Sequence, residues 1–281
     1  MKKKWLNEKT FLVSGASGGI GFNLSKILIE KHGCKIIALA RNEKNLISAK
    51  NSLGDNGDKY EYKVFDVSVP ENWKNLSEEF SYNNVKIDGI INNAGFMLPF
   101  ATFEKYTEKE INEIVYTNFL SVIYSVKYLM PLIKQSSTPA IINIASAAGN
   151  CAVVGESMYC ATKFAVKGFT ETLRQEYKKR VYVAGVYPGF IDTNILNRMS
   201  VNDKENKLIH KLMLPADKAA RKIVKGLCKK KSAIITGADG KSMSFFARVM
   251  PKATPSIVTK VLKSSKLDLF KDVFNEKENL K

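Results

Sequence analysis

Histidine is nearly missing from this 281-residue sequence: His32 and His210 are the two, each isolated from any ligand constellation, and no metal is assigned to them. Cysteine is scarce. Cys34, Cys151, Cys160 and Cys228 fit neither a zinc spacing nor a disulfide framework, so they read as reduced and mostly packed. Long apolar runs are absent as well, and no stretch reaches the roughly 18 residues that a membrane-spanning helix needs. The basic start Met1-Lys2-Lys3-Lys4-Trp5 is followed by no apolar stretch of secretory length. These absences make the cytoplasm the expected location. Internal repeats and low-complexity linkers are also lacking, which leaves a single domain as the expected organisation.

Acidic residues are the remaining shortage. The chain sets 27 Asp/Glu against 44 Lys/Arg, a net charge of +17. The imbalance is concentrated late, since Asp203 to Lys281 holds 19 Lys/Arg and 8 Asp/Glu, a surplus of 11. Such a skew attracts anionic membranes, acidic carrier proteins or nucleic acid, or is simply a solvated lysine-rich surface. No zinc, helix-turn-helix or RNA-binding signature accompanies it, so nucleic acid is not expected as a partner.

What is present is enough apolar material, 45% of residues, to bury a sizeable core. Apolar, β-rich runs occur at Thr10–Ser14, Lys35–Leu39, Tyr60–Phe65, Gly89–Asn92, Ala140–Ala145, Val181–Val186 and Ala233–Thr236. Segments of helical period lie between them, at Gly21–Lys31, Asn72–Tyr82, Glu108–Lys134, Met158–Lys179 and Asp217–Lys230. Short strands alternating with amphipathic helices predict parallel βαβ units, so the expected fold is α/β, a doubly wound parallel sheet of about seven strands with helices on both faces. The rhythm breaks near residue 241. Residues 1–240 are expected to form this α/β domain, and 241–281 a basic, apolar-containing extension.

Between the first strand and the first helix runs Ser14-Gly15-Ala16-Ser17-Gly18-Gly19-Ile20-Gly21. Glycines there let the backbone turn tightly and approach a pyrophosphate, and the helix N-terminus turns its unpaired N–H groups on the phosphates. Sites for NAD place a carboxylate at the tip of the second strand. Here the strand ends Ala38-Leu39-Ala40-Arg41, and Arg41 can pair with the 2′-phosphate of NADP instead. The expected cofactor is NADP(H).

The ordered set of motifs resembles the short-chain dehydrogenase/reductase family over roughly residues 8–237, and this implies a Rossmann-type fold. The motifs are the glycine loop, Asp66-Val67, Asn92-Asn93-Ala94-Gly95, Asn118, Ser146, Tyr159-Cys160-Ala161-Thr162-Lys163 and Pro188-Gly189. The resemblance implies a catalytic set of Asn118, Ser146, Tyr159 and Lys163, with Lys163 also on the nicotinamide ribose and Asn118 holding a water linked to the lysine. It further implies cofactor contacts from Gly15, Ser17, Gly18, Gly19, Ile20, Gly21, Asp66, Val67, Asn93, Ala94, Gly95, Pro188, Gly189, Ile191 and Thr193. Gly18 stands where many NADP-type members carry Arg or Lys, which leaves the phosphate preference to Arg41. The Tyr159/Lys163 pair also makes physical sense alone. Four residues apart on a helix they share a face, and an ammonium beside a phenol favours the phenolate, which eases proton transfer to the alkoxide of a reduced ketone. Ser146 follows a strand at the sheet's carboxyl end and can donate to the substrate oxygen. Cys160 draws notice because it directly follows Tyr159.

By the same resemblance, residues from about 190 to 215 should cover the substrate. Ile195, Leu196, Met199, Val201, Leu208, Ile209, Leu212, Met213 and Leu214, with Met97, Leu98, Val153, Val154 and Met158, would line an apolar pocket. Steroids, long-chain ketones and sphingoid precursors all fit such a pocket. The extension, with Phe245-Phe246-Ala247-Arg248-Val249-Met250 and Ile257-Val258, resembles the tails of family members that act on steroids or lipids. It reads as an amphipathic helix for a membrane interface or one docked on its own or a partner subunit, and the family resemblance implies a homodimer or homotetramer. Two alternatives stay open: reduction of 3-oxoacyl thioesters on an acidic carrier, and a dinucleotide sensor without chemistry.

Overall fold

The computed structural model describes residues 5–193, 205, 209, 211 and 213–274. Seven short runs of aliphatic residues form one parallel sheet: β1 (Thr10–Ser14), β2 (Lys35–Ala40), β3 (Tyr60–Val64), β4 (Gly89–Asn92), β5 (Ala140–Ile144), β6 (Tyr182–Pro188) and β9 (Ala233–Thr236). Their order is β3-β2-β1-β4-β5-β6-β9. A separate two-stranded ribbon pairs β7 (Ile191–Asp192) with β8 (Leu214–Pro215). All five residues of β5 and all four of β4 are buried, as expected of strands covered on both faces. On one face lie α1 (Gly19–His32) and α7 (Ala216–Cys228), which bring Leu24, Leu28, Ile223 and Leu227 onto the sheet. On the other lie α3 (Pro70–Tyr82) and α5 (Ser121–Ile133), with Trp73, Phe80, Leu129 and Ile133 buried. Each such side chain contributes about 1.5–3 kcal/mol by leaving water. The strand order reverses between β1 and β4, and this opens a crevice at their carboxyl ends.

The sequence pattern missed two local features. One is α2 (Glu43–Asn51), whose start is fixed by Asn42 accepting from the Asn45 amide at 3.0 Å. The other interrupts the long helical segment expected over Glu108–Lys134. It is split into α4 (Glu108–Val115), a π-helical turn at Tyr116–Leu120, and α5. A π turn inserts one residue into the i→i−4 ladder without disturbing the apolar pattern on either side, so periodicity alone does not reveal it. Asn118 lies in that turn.

A buried polar chain crosses the sheet beneath the crevice. Ser125 donates to Asn92 Oδ1 (2.8 Å), Asn92 to Asn143 Oδ1 (2.9 Å), and Asn143 to Thr170 Oγ1 (2.9 Å). Every member is paired, so the chain fixes β4 and β5 against α5 and α6 (Ser157–Glu176) without an unsatisfied group.

The C-terminal extension folds into α8 (Ala238–Val249), α9 (Thr254–Ser264) and α10 (Lys271–Phe274). Its end packs onto the crevice wall. Phe270 stacks edge-on against Phe100 at 4.8 Å between centroids, and Lys105 donates to the Asp272 carbonyl at 2.9 Å. The outer faces of α8 and α9 leave Phe245, Val249, Ile257 and Val261 exposed beside Lys241, Arg248, Lys252 and Lys260. No helix among the described residues is long and apolar enough to cross a membrane.

Candidate active site

Helix α6 starts just after Glu156 and carries Tyr159 and Lys163 one turn apart, facing inward, at 7% and 4% exposure. The Lys163 ammonium lies 5.5 Å from the centre of the Tyr159 ring and donates to the Ile144 carbonyl at 3.3 Å. Ser146 follows β5 in extended backbone, so its side chain emerges at the carboxyl end of the sheet. Its hydroxyl accepts from the Ala148 amide at 3.1 Å and bonds the Tyr159 phenol. Asn118 is clamped to the Phe96 backbone from both sides, accepting from its N–H at 2.9 Å and donating to its C=O at 2.8 Å. Gly95 makes room for the junction. A Cβ there would come within 3.1 Å of Asn118 Oδ1 and 3.2 Å of Lys163 Nζ. The π turn, the Asn92-Asn93-Ala94-Gly95 segment and α6 therefore meet at a single point.

Burial dominates the titration of this cluster. It pulls the Lys163 ammonium down to about 8 and pushes the Tyr159 phenol well above its ordinary value. For Tyr159 the Ser146 hydroxyl opposes the shift, while Glu156 and Cys160 add to it. The sequence had suggested a phenol lowered by its lysine. Instead the phenol is held protonated, because both groups are withdrawn from water together. Cys160 is no rival nucleophile: buried, it accepts from the Val153 amide at 3.3 Å, and burial pushes its thiol up to about 11.

The cluster forms one wall of a cavity of about 430 Å³ whose other end is the glycine loop. Gly15, Ser17, Gly18, Gly19, Ile20, Arg41, Asn93, Ala94, Gly95, Ser146, Tyr159, Lys163, Pro188, Gly189, Ile191 and Thr193 all line it. Gly21, Asp66, Val67 and Asn118 do not. Gly21 lies under the loop, where a Cβ would meet the Gly15 carbonyl at 2.3 Å. Asp66 is engaged with Ser68, accepting from its amide at 2.9 Å and its hydroxyl at 2.6 Å, and Val67 is buried. Asn93 lines the cavity, but its side chain is spent on the loop, donating to the Ser14 carbonyl at 3.0 Å and the Gly15 carbonyl at 3.1 Å.

The loop fits a dinucleotide. Gly15 and Gly19 have φ of +64° and +53°, the left-handed region open to glycine, and a Cβ on Gly15 would strike Asn93 and Ala94 at 2.9–3.0 Å. Helix α1 is preceded by Gly18, which offers no side-chain cap, so its first-turn amides are left for a ligand in the cavity. Arg41, exposed at the tip of β2, makes no ion pair or hydrogen bond among the described residues.

Among the contributors that escaped sequence reasoning, besides the cavity walls Phe96, Phe100 and Phe190, three stand out. Asp239, in the first turn of α8, accepts from the Phe190 amide at 2.6 Å and pins the Pro188-Gly189 loop. Met243 from the same helix lines the cavity. Glu156 lines it too, buried and without a hydrogen-bond partner among the described residues. Met97, Val153 and Met213 are cavity walls as expected, whereas Leu98 is core and Val154 and Met158 pack behind the wall. Most of the expected lid, residues 194–204, 206–208, 210 and 212, lies outside the described residues.

Residues 9–204 match the short chain dehydrogenase family, and the chain belongs to it. It is 32% identical over 224 residues to an uncharacterized oxidoreductase of Staphylococcus saprophyticus, covering 78% of this chain and 89% of the relative. It is also 33% identical over 207 residues to a 3-oxoacyl-[acyl-carrier-protein] reductase of Chlamydia muridarum, covering 72% and 82%. Among solved structures, the fold matches a short chain dehydrogenase/reductase of Burkholderia phymatum in complex with NAD. The TM-score is 0.77 at 19% identity, over 87% of this chain and 94% of that one. The protein is thus an oxidoreductase of the short-chain type acting on CH–OH groups.

Proposed function

We propose that this enzyme interconverts a carbonyl and a secondary alcohol on a lipophilic substrate, a steroid or long-chain ketone, with NADP(H) as cofactor. The observation that carries this reading is the cluster of half-buried Ser146 with buried Tyr159 and Lys163 on the wall of the cavity that begins at the glycine loop. When bound, the dinucleotide supplies or takes the hydride. The chain does the rest. Ser146 donates to the substrate oxygen and stabilises its developing charge. Tyr159, held protonated by burial, is the acid that gives its proton to the nascent alkoxide, and Lys163 stabilises the phenolate left behind. Asn118, fixed by the Phe96 backbone, holds the floor under Lys163.

Arg41 at the tip of β2 supports NADP over NAD, since its guanidinium has no partner among the described residues and no carboxylate stands at the end of the strand. Met97, Phe100, Val153, Phe190, Met213 and Met243 make the substrate side apolar, in favour of a lipophilic carbonyl over a sugar. The exposed apolar and basic stripe of α8 and α9 supports peripheral contact with an anionic membrane. The likeness to a 3-oxoacyl reductase, with the net charge of +17, favours carrier-linked 3-oxoacyl thioesters as the second reading.

The test is NADPH consumption at 340 nm across ketosteroids, long-chain 3-ketones and acetoacetyl thioesters, with NADH in parallel. Turnover of steroid or lipid ketones with NADPH is expected. Turnover confined to carrier-linked thioesters and abolished by salt would move the assignment to the second reading, and tight NADPH binding with no turnover would overturn both.

A further inference from the structure

We infer that Glu156 determines substrate specificity by receiving a hydroxyl group carried by the otherwise apolar carbonyl substrate. The inference rests on the reading of the cavity as a carbonyl/alcohol site. Glu156 is 1% exposed, yet it lines the cavity, three residues before Tyr159. Neither of its carboxyl oxygens has a hydrogen-bond partner among the described residues. A buried carboxyl left unpaired is costly, and native interiors rarely tolerate one without a use.

The surrounding groups offer it no partner. The Tyr106 hydroxyl donates to the Gly155 carbonyl at 2.6 Å, and the Cys160 sulfur is taken up by the Val153 amide. Tyr159 bonds Ser146, and Lys163 donates to Ile144. The side chains of Met97, Phe100, Val153, Met213 and Met243, which line the same cavity, carry no polar hydrogen. Nothing among the described residues satisfies Glu156, and the cavity that it lines is where a group able to do so would enter.

The chemistry selects a hydroxyl. Burial pushes this carboxyl up to about 9, so at neutral pH it is the neutral acid, with one O–H to donate and a carbonyl oxygen to accept. A hydroxyl both donates and accepts and matches it. An ammonium only donates, and would leave the carboxyl O–H without an acceptor.

The test uses the NADPH-loaded enzyme and ketones of one carbon skeleton, bearing a hydroxyl or an amine at successive carbons, or neither. Wild type should favour one hydroxyketone over the plain ketone by about ten- to hundredfold in kcat/KM, the worth of one buried hydrogen-bonded pair. Glu156→Gln, which keeps a donor and an acceptor, should retain the preference, and Glu156→Leu should erase it. The same preference in Glu156→Leu, no preferred hydroxyl position in wild type, or preference for an aminoketone would overturn the assignment. Binding of the matching diol and mono-alcohol, followed by NADPH fluorescence, needs no turnover. If no ketone reacts, the carbonyl reading falls, while diol affinity still judges Glu156: tighter diol binding in wild type and Glu156→Gln but not Glu156→Leu supports it, and equal binding in all three sinks it.

Discussion

Replacing Arg41 with alanine should weaken NADPH binding and leave NADH binding nearly untouched. The guanidinium stands exposed at the tip of β2, lines the cavity, and makes no bond among the described residues that the substitution would break. Its loss therefore leaves the fold intact and removes a charge-assisted contact to the 2′-phosphate, about 1.5–3 kcal/mol. That corresponds to roughly 10- to 150-fold in Kd for NADPH, against less than about twofold for NADH. The converse change is also available. Gly18 has extended backbone, and a Cβ there meets nothing within 4 Å, so Gly18→Arg can add a second clamp without strain. It should tighten NADPH selectively and partly restore it in the Arg41→Ala background. Quenching titrations with both dinucleotides at low and high salt measure all four combinations, and the NADPH advantage should shrink with salt as the pair is screened. An equal loss of NADPH and NADH affinity in Arg41→Ala would refute the phosphate role.

Tyr159→Phe should lose at least about 100- to 10,000-fold in kcat while binding NADPH as before, since it deletes the transferable proton and little else; single-turnover kinetics with a ketone that is readily reduced check this. In the reduction direction, kcat should fall about tenfold per pH unit above pH 8. Lys163, pulled down to about 8, keeps its stabilising charge below that value and loses it above. Whatever activity Lys163→Arg retains should lack this fall, and a profile flat to pH 10 in wild type would contradict the role given to Lys163. Phe270→Ala should cost about 3–5 kcal/mol, or roughly 6–15 °C in melting temperature, because Phe270 is 5% exposed and wedged against Phe100. It should raise KM more than it lowers kcat, and an unchanged melting curve would mean that the extension is not docked.

The sequence by itself determined the layered fold, because parallel strands and their covering helices each leave a local trace: apolar runs at β4 and β5, periodic faces at α1 and α3. It also determined the glycine loop and the Tyr159/Lys163 pair, since close backbone approach and i,i+4 geometry are local requirements. Only the tertiary structure decided the rest. The π turn that carries Asn118 to Gly95 and Lys163 leaves no periodic signature. Asp239 pinning Phe190 and Phe270 backing Phe100 join residues 49 and 170 positions apart, which no local pattern encodes. The charge state of the site was likewise settled by burial. In the sequence Lys163 and Tyr159 are an ammonium beside a phenol on one helix face. Both are enclosed by β5, the Asn92-Asn93-Ala94-Gly95 segment and α6, where desolvation lowers one and raises the other, and it leaves Glu156 neutral and without a partner among the described residues on the same wall.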